Sequence, residues 1–197
     1  RPQDAIIAEE GGSTEGDAAE VTWHIDPLDG TVNYLWGLPH WCVSIHAGDR
    51  HGDLAAVIWD PCREELFTAV PGDARLNGHG LRLTAAYDLS DALVATGFAY
   101  AAPVRRMQGA VVARLLPDVR DIRRAGSAAL DLAWLAAGRV DAYFERGLSP
   151  WDWAAGAMLV TAAGGTVTQL DDAGAPPGIV AGRAGLVEPL LTHIAQR

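Results

Sequence analysis

The chain has 197 residues, enough for one sizeable hydrophobic core or for two closely packed halves. Its 25 acidic side chains outnumber 15 basic ones and give a net charge of -10, which argues against nonspecific binding to nucleic acid or anionic membranes. Nothing in the given sequence resembles a signal peptide, and no apolar run reaches the roughly 20 residues that span a bilayer. The two cysteines, Cys42 and Cys62, form no metal or disulfide pattern. We therefore expect a soluble cytoplasmic protein.

The predicted elements follow one another in chain order without a repeat or a linker. Strands are predicted at residues 5–8, 21–25, 41–46, 54–59, 65–69, 93–96, 119–122, 140–144, 166–169 and 179–181. Helices are predicted at residues 104–116, 127–137, 153–163 and 186–195. A strand meander in the first half and strand–helix alternation in the second half predict a mixed α/β (α+β) fold of stacked layers.

The first acidic segment is predicted to follow the second strand, which delivers Asp26 to a loop. Pro27 stiffens the turn, and Asp29 can face the same side as Asp26, so two hard carboxylates could hold Mg²⁺ there. Gly30 permits close backbone approach, and a helix that begins at Thr31 would offer free N–H groups to an anion. The same residue types also form ordinary turns, and taken alone this segment fits a turn equally well.

Two further acidic segments have plain structural explanations when each is considered alone. The pair Glu9-Glu10 ends the first apolar strand, where a solvated loop charge is the commoner outcome. Asp152 is predicted to stand directly before the helix at 153–163, where it would be an N-cap. The small residues that follow Asp152 in the run WDWAAG would let this helix pack close to a neighbour.

Taken together, the three segments resemble the inositol monophosphatase family, part of the lithium-sensitive, Mg²⁺-dependent phosphatase superfamily. The matching runs are Glu-Glu, then Asp-Pro-Leu-Asp-Gly-Thr-Val-Asn-Tyr, then Trp-Asp-x-Ala-Ala-Gly, and the similarity extends from Ile6 to about Ala181. The resemblance implies a layered αβαβα sandwich of the sugar-phosphatase type in one domain, residues 1–197. Residues 1–90 would form a larger mixed-sheet half with the metal-binding loop, and residues 91–197 an α/β half with Asp152.

The resemblance also implies a pair of helices before the Glu pair, which the sequence lacks. In the family these helices carry a Lys and a Thr-Asp segment, whose Asp hydrogen-bonds the threonine that matches Thr31. Either this form of the protein lacks them, or they belong to a longer chain. We expect the second, because the first strand would otherwise expose apolar surface.

The resemblance implies two or three Mg²⁺ ions per site. Glu9, Asp26 and the backbone carbonyl of Leu28 would bind the first ion. Asp26, Asp29 and Asp152 would bind the second, and Glu9 a weaker third. The catalytic residues would be Glu9, Thr31 and Asp29, with Thr31 and Glu9 orienting the attacking water.

The substrate side implied by the resemblance comprises Gly30, Thr31, Gly126, Ser127, Ala128, Glu145 and Asp152. Gly30 and Thr31 would donate backbone N–H groups to the phosphate. Glu145 would accept a hydrogen bond from a substrate hydroxyl, and the run from Gly126 to Ala128 would line the sugar side of the pocket.

These assignments imply Mg²⁺-dependent hydrolysis of a phosphate monoester by a metal-activated water. The favoured substrate is myo-inositol 1-phosphate, giving inositol and phosphate. Histidinol phosphate, fructose 1,6-bisphosphate and nucleotide phosphates stay open as alternatives, as does a noncatalytic module that retains the fold. We expect a homodimer with a small-molecule partner and without a nucleic-acid or membrane partner.

Three other side chains have several interpretations. His40 could lie near the mouth of the site, although a packed histidine is the commoner outcome. Cys42 is predicted to be a core residue. Arg124 belongs to a basic pair that predicts a solvated face, with an approach to the substrate side or to a subunit interface as the alternative.

Overall fold

The computed structural model describes residues 3–9, 12–14, 20–84, 88–171 and 175–195. The strands β1 to β13 are Ala5–Ala8, Gly12–Thr14, Thr22–Asp29, Cys42–Asp49, Gly52–Asp60, Glu65–Val70, Asp73–Leu76, His79–Gly80, Leu93–Thr96, Asp121–Arg123, Ala142–Arg146, Thr166–Leu170 and Gly178–Gly182. The helices α1 to α5 are Thr31–Leu35, Ala102–Leu115, Ala128–Ala136, Pro150–Ala162 and Val187–Ala195. None of these helices has the length and apolarity that crossing a membrane requires.

The strands form two mixed sheets. The larger sheet has eight strands in the order β2-β1-β3-β4-β5-β6-β7-β8, and its only parallel pair among these strands is β1 with β3. The smaller sheet has the order β10-β9-β11-β13-β12. In it β9 runs parallel to both β10 and β11, whereas β13 runs antiparallel to its two neighbours.

Two helices fill the space between the sheets. The helix α4 contacts strands of both sheets and packs along α3, and their shared core contains the fully buried side chains of Phe67, Leu132 and Leu159. The helices α2 and α5 pack against the far side of the smaller sheet, around Leu115 and Leu190. The described layers therefore run sheet, helix, sheet, helix, and they confirm the predicted layered fold.

The outer face of the larger sheet is apolar and partly open to solvent. On this face Val43 pairs with Trp59, which in turn pairs with Leu66 on the next strand. Trp59 and Leu66 are 36% and 39% exposed, and Val70 at the end of the same strand is 49% exposed. The larger sheet therefore buries one face against α3 and α4 and leaves apolar side chains on the other.

The strand β3 does not end at Asp26, as the sequence predicted. It continues through Pro27 to Asp29, and its pairing with β4 shifts register between Asp26 and Asp29. Pro27 has no N–H to donate to a ladder, and such residues are tolerated where pairing is already irregular. Both aspartates therefore belong to the irregular end of a strand rather than to a free loop.

The helices α2 and α4 begin earlier than predicted. The predicted start of α4 was residue 153, but the helix begins at Pro150, and α2 begins at Ala102 rather than at residue 104. Both helices have a proline in the first turn, where a missing N–H costs no helical hydrogen bond. Asp152 consequently lies inside the first turn of α4 and not before it.

The close packing of α3 on α4 depends on Gly156. A Cβ atom at this position would lie 2.5 Å from the Cβ atom of Leu132 and 2.7 Å from its Cδ1 atom. We therefore predict that Gly156→Ala lowers the free energy of unfolding by about 1–3 kcal/mol through overpacking, measured by chemical denaturation.

The control is Gly109→Ala in α2, where a Cβ atom would meet nothing within 4 Å. This exchange should raise the free energy of unfolding by about 0.5–1 kcal/mol through helix propensity alone. Equal effects at the two positions would show that the α3–α4 contact is not tight.

Candidate active site

Parallel pairing brings the first two acidic segments to one edge of the larger sheet. Ala8 of β1 lies opposite Ile25 of β3, and the backbone N–H of Glu9 donates to the carbonyl of Ile25 at 3.4 Å. Glu9, which directly follows β1, therefore lies beside Asp26 of β3. Glu10, the other member of the acidic pair, lies outside the described residues.

The third acidic segment reaches the same place through α4, which packs against β3 and β4. Asp26 lies opposite Ser44 on β4, and the hydroxyl of Ser44 donates to the carbonyl of Trp151 at 3.5 Å. The backbone N–H of Ser149 donates to Asp152 Oδ2 at 2.7 Å. Asp152 is therefore not the predicted N-cap: Ser149 has that position, and Asp152, the third residue of the helix, completes a capping box with it through one carboxylate oxygen.

The turn that follows Asp26 is fixed by its own hydrogen bonds. The backbone N–H of Leu28 donates to Asp26 Oδ1 at 2.9 Å, and the hydroxyl of Thr31 donates to the carbonyl of Leu28 at 2.9 Å. Gly30 precedes α1 with φ of +91°, and a Cβ atom there would lie 2.9 Å from the carbonyl oxygen of His40. The helix therefore does begin at Thr31, as the sequence suggested.

Asp29 is held from the other half of the chain. Its Oδ2 atom accepts hydrogen bonds from the hydroxyl of Ser127 at 2.6 Å and from the backbone N–H of Ala129 at 2.8 Å. The Ser127 hydroxyl also accepts the N–H of Leu130 at 3.2 Å and thereby caps α3. Cys42 is fully buried, as predicted, and its thiol donates to Asp29 Oδ2 at 3.9 Å. The hydroxyl of Ser127 thus orients Asp29, a contact that its predicted position in the pocket lining did not imply.

The clustered carboxylates repel one another. Burial, together with the charges of Asp29, Glu9 and Asp152, raises the pKa of Asp26 to about 8. Burial likewise raises the pKa of Asp152 to about 7, with contributions from Asp29 and Glu9. Burial raises the pKa of Asp29 to about 6, although the hydrogen bonds from the start of α3 favour its charged form. In the absence of a cation, ionising one of these partly desolvated carboxyl groups makes it harder to ionise the others.

Sequence reasoning missed the function of Asn33. This buried side chain donates from its Nδ2 atom to the carbonyl of His40 at 2.7 Å and to the carbonyl of Ala125 at 2.9 Å. It therefore joins α1 to the segment just before α3. A polar residue inside the short signature run was the available signal, but its partner lies 92 residues away.

The substrate side predicted from the resemblance gathers near Glu145 on β11. The hydroxyl of Tyr143 donates to Glu145 Oε2 at 2.6 Å. Burial raises the pKa of Glu145 to about 7, while the charge of Arg124 favours the carboxylate. A Cβ atom at Gly126, which has φ of +100°, would lie 2.6 Å from Arg124 Nη1. Arg124 is exposed, as the solvated-face interpretation predicted, but its guanidinium lies beside Gly126 and its charge acts on Glu145.

Asp131 is a second residue that sequence reasoning missed. It is 2% exposed within the apolar helix α3, and burial, with the charges of Glu145 and Asp29, raises its pKa well above the usual range. Its Oδ1 atom lies 3.9 Å from His40 Nε2, a buried nitrogen without a hydrogen-bond partner among the described residues. One charged residue in an otherwise apolar helix was the signal. His40 packs beneath the site rather than at its mouth, since it is 8% exposed.

The donor set has the chemistry that Mg²⁺ requires, but it is not yet gathered around an ion. Carboxylate and carbonyl oxygens are the ligands that this hard cation prefers, and Asp26, Asp29 and Asp152 each have one oxygen fixed by hydrogen bonds from the protein. Within the described ranges, no three His, Cys, Asp or Glu side chains already stand where they could hold a metal ion. The residues therefore fit a cation in type and in charge.

Comparison with known proteins agrees with the fold. The sequence model described as the inositol monophosphatase family matches residues 1–196. The Nus factor SuhB of Escherichia coli K12 is 46% identical over 202 residues, which cover 98% of this chain and 74% of that protein. The chain therefore belongs to the inositol monophosphatase family.

Solved structures give the same result. The extragenic suppressor protein suhB of Bartonella henselae superposes with a TM-score of 0.90 at 36% identity, covering 100% of this chain and 77% of that one. An inositol monophosphatase from Anabaena superposes with a TM-score of 0.87 at 38% identity, covering 98% of this chain and 79% of that one. The chain thus spans about three quarters of the length of these relatives.

The raised pKa of Asp26 predicts a pH dependence of the metal-free protein. An unfolded aspartate ionises near pH 4, whereas folded Asp26 keeps its proton up to about pH 8. Between these values the folded state binds more protons, so this group's contribution to stability is complete at low pH and is lost as the pH rises. In the presence of a chelator, the wild type should lose stability relative to Asp26→Asn between pH 5 and pH 8. Parallel stability curves for the two proteins in denaturant titrations would contradict this.

Proposed function

We propose that this protein is a Mg²⁺-dependent phosphate-monoester hydrolase. The observation that carries the proposal is the convergence of Glu9, Asp26, Asp29 and Asp152 from separate elements onto one partly buried site, where burial and mutual repulsion raise the pKa of all three aspartates. Such crowding destabilises a fold unless cations relieve it. Family membership supports the same chemistry.

Glu9, Asp26 and the carbonyl of Leu28 would hold one Mg²⁺ ion, and Asp26, Asp29 and Asp152 a second, with Glu9 available to a weaker third. When bound, these ions would supply a more acidic water and positive charge opposite the phosphate and the leaving oxygen. They would also offset the negative charge of the chain, which would otherwise repel a phosphate substrate.

The chain's own groups would bind and orient the substrate. The backbone N–H groups of Gly30 and Thr31 would donate to the phosphate, and the tight turn at Gly30 allows the backbone to approach it closely. The hydroxyl of Thr31 already donates its proton to the carbonyl of Leu28, so its oxygen remains an acceptor for the attacking water, which Glu9 would also orient. Glu145 would accept a hydrogen bond from a hydroxyl of the leaving alcohol.

The proposed substrate is myo-inositol 1-phosphate. The signature Asp-Gly-Thr-Val-Asn-Tyr is closer to inositol monophosphatases than to the Asp-Gly-Thr-Lys pattern common in nucleotide-phosphate members, or to the Asp-Gly-Ser variant of fructose bisphosphatases. A panel that also contains histidinol phosphate, fructose 1,6-bisphosphate and adenosine 3′,5′-bisphosphate would decide among them. A strong preference for one of these three would change the substrate but leave the chemistry unchanged.

A second candidate function comes from the name of several relatives, Nus factor SuhB. That name favours a binding role, with or without catalysis, and it weighs against the expectation that nucleic acid is no partner. The retained acidic set supports the enzymatic proposal, because a binding module has no need of buried carboxylates in repulsion. Lithium sensitivity and a homodimer remain predictions of the family resemblance, and a cytoplasmic location remains a prediction from the composition.

The activity test is release of phosphate from myo-inositol 1-phosphate. We expect turnover that requires Mg²⁺, is inhibited by Li⁺, and falls by about 100-fold or more in Asp29→Asn, because a neutral amide is a weaker ligand for a hard cation. The matched control is Asp73→Asn, since the Asp73 side chain is 44% exposed and pairs with nearby Arg75 at 2.7 Å. Its turnover should stay within about twofold of wild type.

Three results would contradict the proposal. Turnover in the presence of a chelator would remove the role of the cation. A phosphoenzyme trapped at Asp26 or Asp29 would replace the water by a protein nucleophile. Absence of turnover on every ester of the panel, in folded protein with Mg²⁺ present, would favour the binding role instead.

A further inference from the structure

The carboxylate of Glu145 is enclosed by two neighbouring strands. On β11 the hydroxyl of Tyr143, two residues earlier and on the same face, donates to Glu145 Oε2 at 2.6 Å. Tyr143 is fully buried, so water cannot compete for its proton. This hydrogen bond occupies one particular oxygen of the carboxylate and leaves Oε1 for another donor.

The second boundary is the backbone of Gly97, directly after β9. The pairing of Phe144 with Thr96 sets Gly97 beside Glu145. A Cβ atom at Gly97 would overlap all three atoms of the Glu145 carboxyl group. The φ angle of Gly97 is not positive, so glycine is required here for space and not for backbone conformation.

The segment that contains Gly97 is itself fixed on both sides. The hydroxyl of Thr96 donates to the carbonyl of Phe144 at 2.7 Å. The backbone N–H of Ala99 donates to the Oε1 atom of Gln108, and the Nε2 atom of Gln108 donates to the carbonyl of Arg146. Gln108 is 4% exposed, and buried hydrogen bonds of this kind are costly to break. The segment therefore acts as a rigid wall against which the carboxylate lies.

We propose that Tyr143 and Gly97 are positioning residues that present only Oε1 of Glu145 to the substrate, and that this arrangement selects phosphate esters whose leaving alcohol carries a further hydroxyl group. This inference rests on the proposed hydrolase function. Because the Tyr143 hydroxyl and the Gly97 backbone already fix the Glu145 carboxylate, it loses no rotamer freedom when it accepts a hydrogen bond from a substrate hydroxyl. A carboxylate free to rotate would accept the same hydroxyl at a greater entropic cost.

The first test is Tyr143→Phe with two substrates. For myo-inositol 1-phosphate, KM should rise about five- to tenfold while kcat stays within about twofold, because the lost contact acts equally in ground and transition states. For phenyl phosphate, whose leaving group has no further hydroxyl, both constants should be unchanged. The matched control is Tyr100→Phe, which removes a hydroxyl from a side chain that is 81% exposed and should change neither substrate.

The second test is a double-mutant cycle with Glu145→Ala. If Tyr143 acts through Glu145, Tyr143→Phe should cause no further rise in KM once the carboxylate is gone. A further rise of similar size in that background would overturn the proposal, as would equal effects of Tyr143→Phe on the two substrates.

Gly97→Ala tests the wall independently of the tyrosine. The new Cβ atom would displace the carboxylate, so KM for myo-inositol 1-phosphate should rise at least as much as in Tyr143→Phe, with phenyl phosphate again unaffected. Thermal unfolding of each variant identifies any loss of fold. Absence of Mg²⁺-dependent hydrolysis of both esters by the folded wild type would refute the hydrolase function itself. An active enzyme in which Gly97→Ala treats both esters like the wild type would refute only the positioning.

Discussion

Repulsion among buried carboxylates is the constraint around which this fold is arranged. Asp26, Asp29 and Asp152 come from the end of β3 and from the first turn of α4, and the charge of Glu9 acts on each of them. Each aspartate has one oxygen fixed by a protein donor: a turn N–H, a serine hydroxyl or a helix-capping N–H. These hydrogen bonds lower the free-energy cost of ionising the aspartates and fix the orientation of each carboxylate. The repulsion among the carboxylates remains, and a bound cation would neutralise it.

The helix layer between the sheets transmits that constraint to the rest of the molecule. Ser127 caps α3 and at the same time orients Asp29, so helix formation and site formation share one hydroxyl. Asn33 extends the same connection, because it ties α1 to the carbonyl of Ala125, just ahead of that cap. The turn from Asp26 to Thr31 and the helix layer therefore stabilise each other, so a substitution in one would alter the packing of the other.

The sequence predicted the longer elements well, and it pointed to the acidic set, because both leave local signals. Alternating apolar residues, glycine helix stops and short acidic runs are visible within a few residues of one another. The end of β3 was misplaced since Pro27 normally ends a strand, and only the register shift against β4 accommodates it. The buried contacts of Asn33, Asp131 and Tyr143 could not be predicted, because they depend on tertiary packing and burial that no local pattern encodes.

The position of α4 has a consequence for how the molecule folds. This helix touches both sheets and carries Asp152 on its first turn, so the fourth acidic group arrives only when the two sheets have closed around it. Pairings of such long sequence separation form slowly and late, and a half-assembled chain would hold an incomplete and weakly binding set of oxygens. A cation of the kind proposed here would therefore bind the native state selectively and stabilise it by mass action. Its release on heating would then coincide with cooperative unfolding of the whole sandwich rather than with local loosening of a loop.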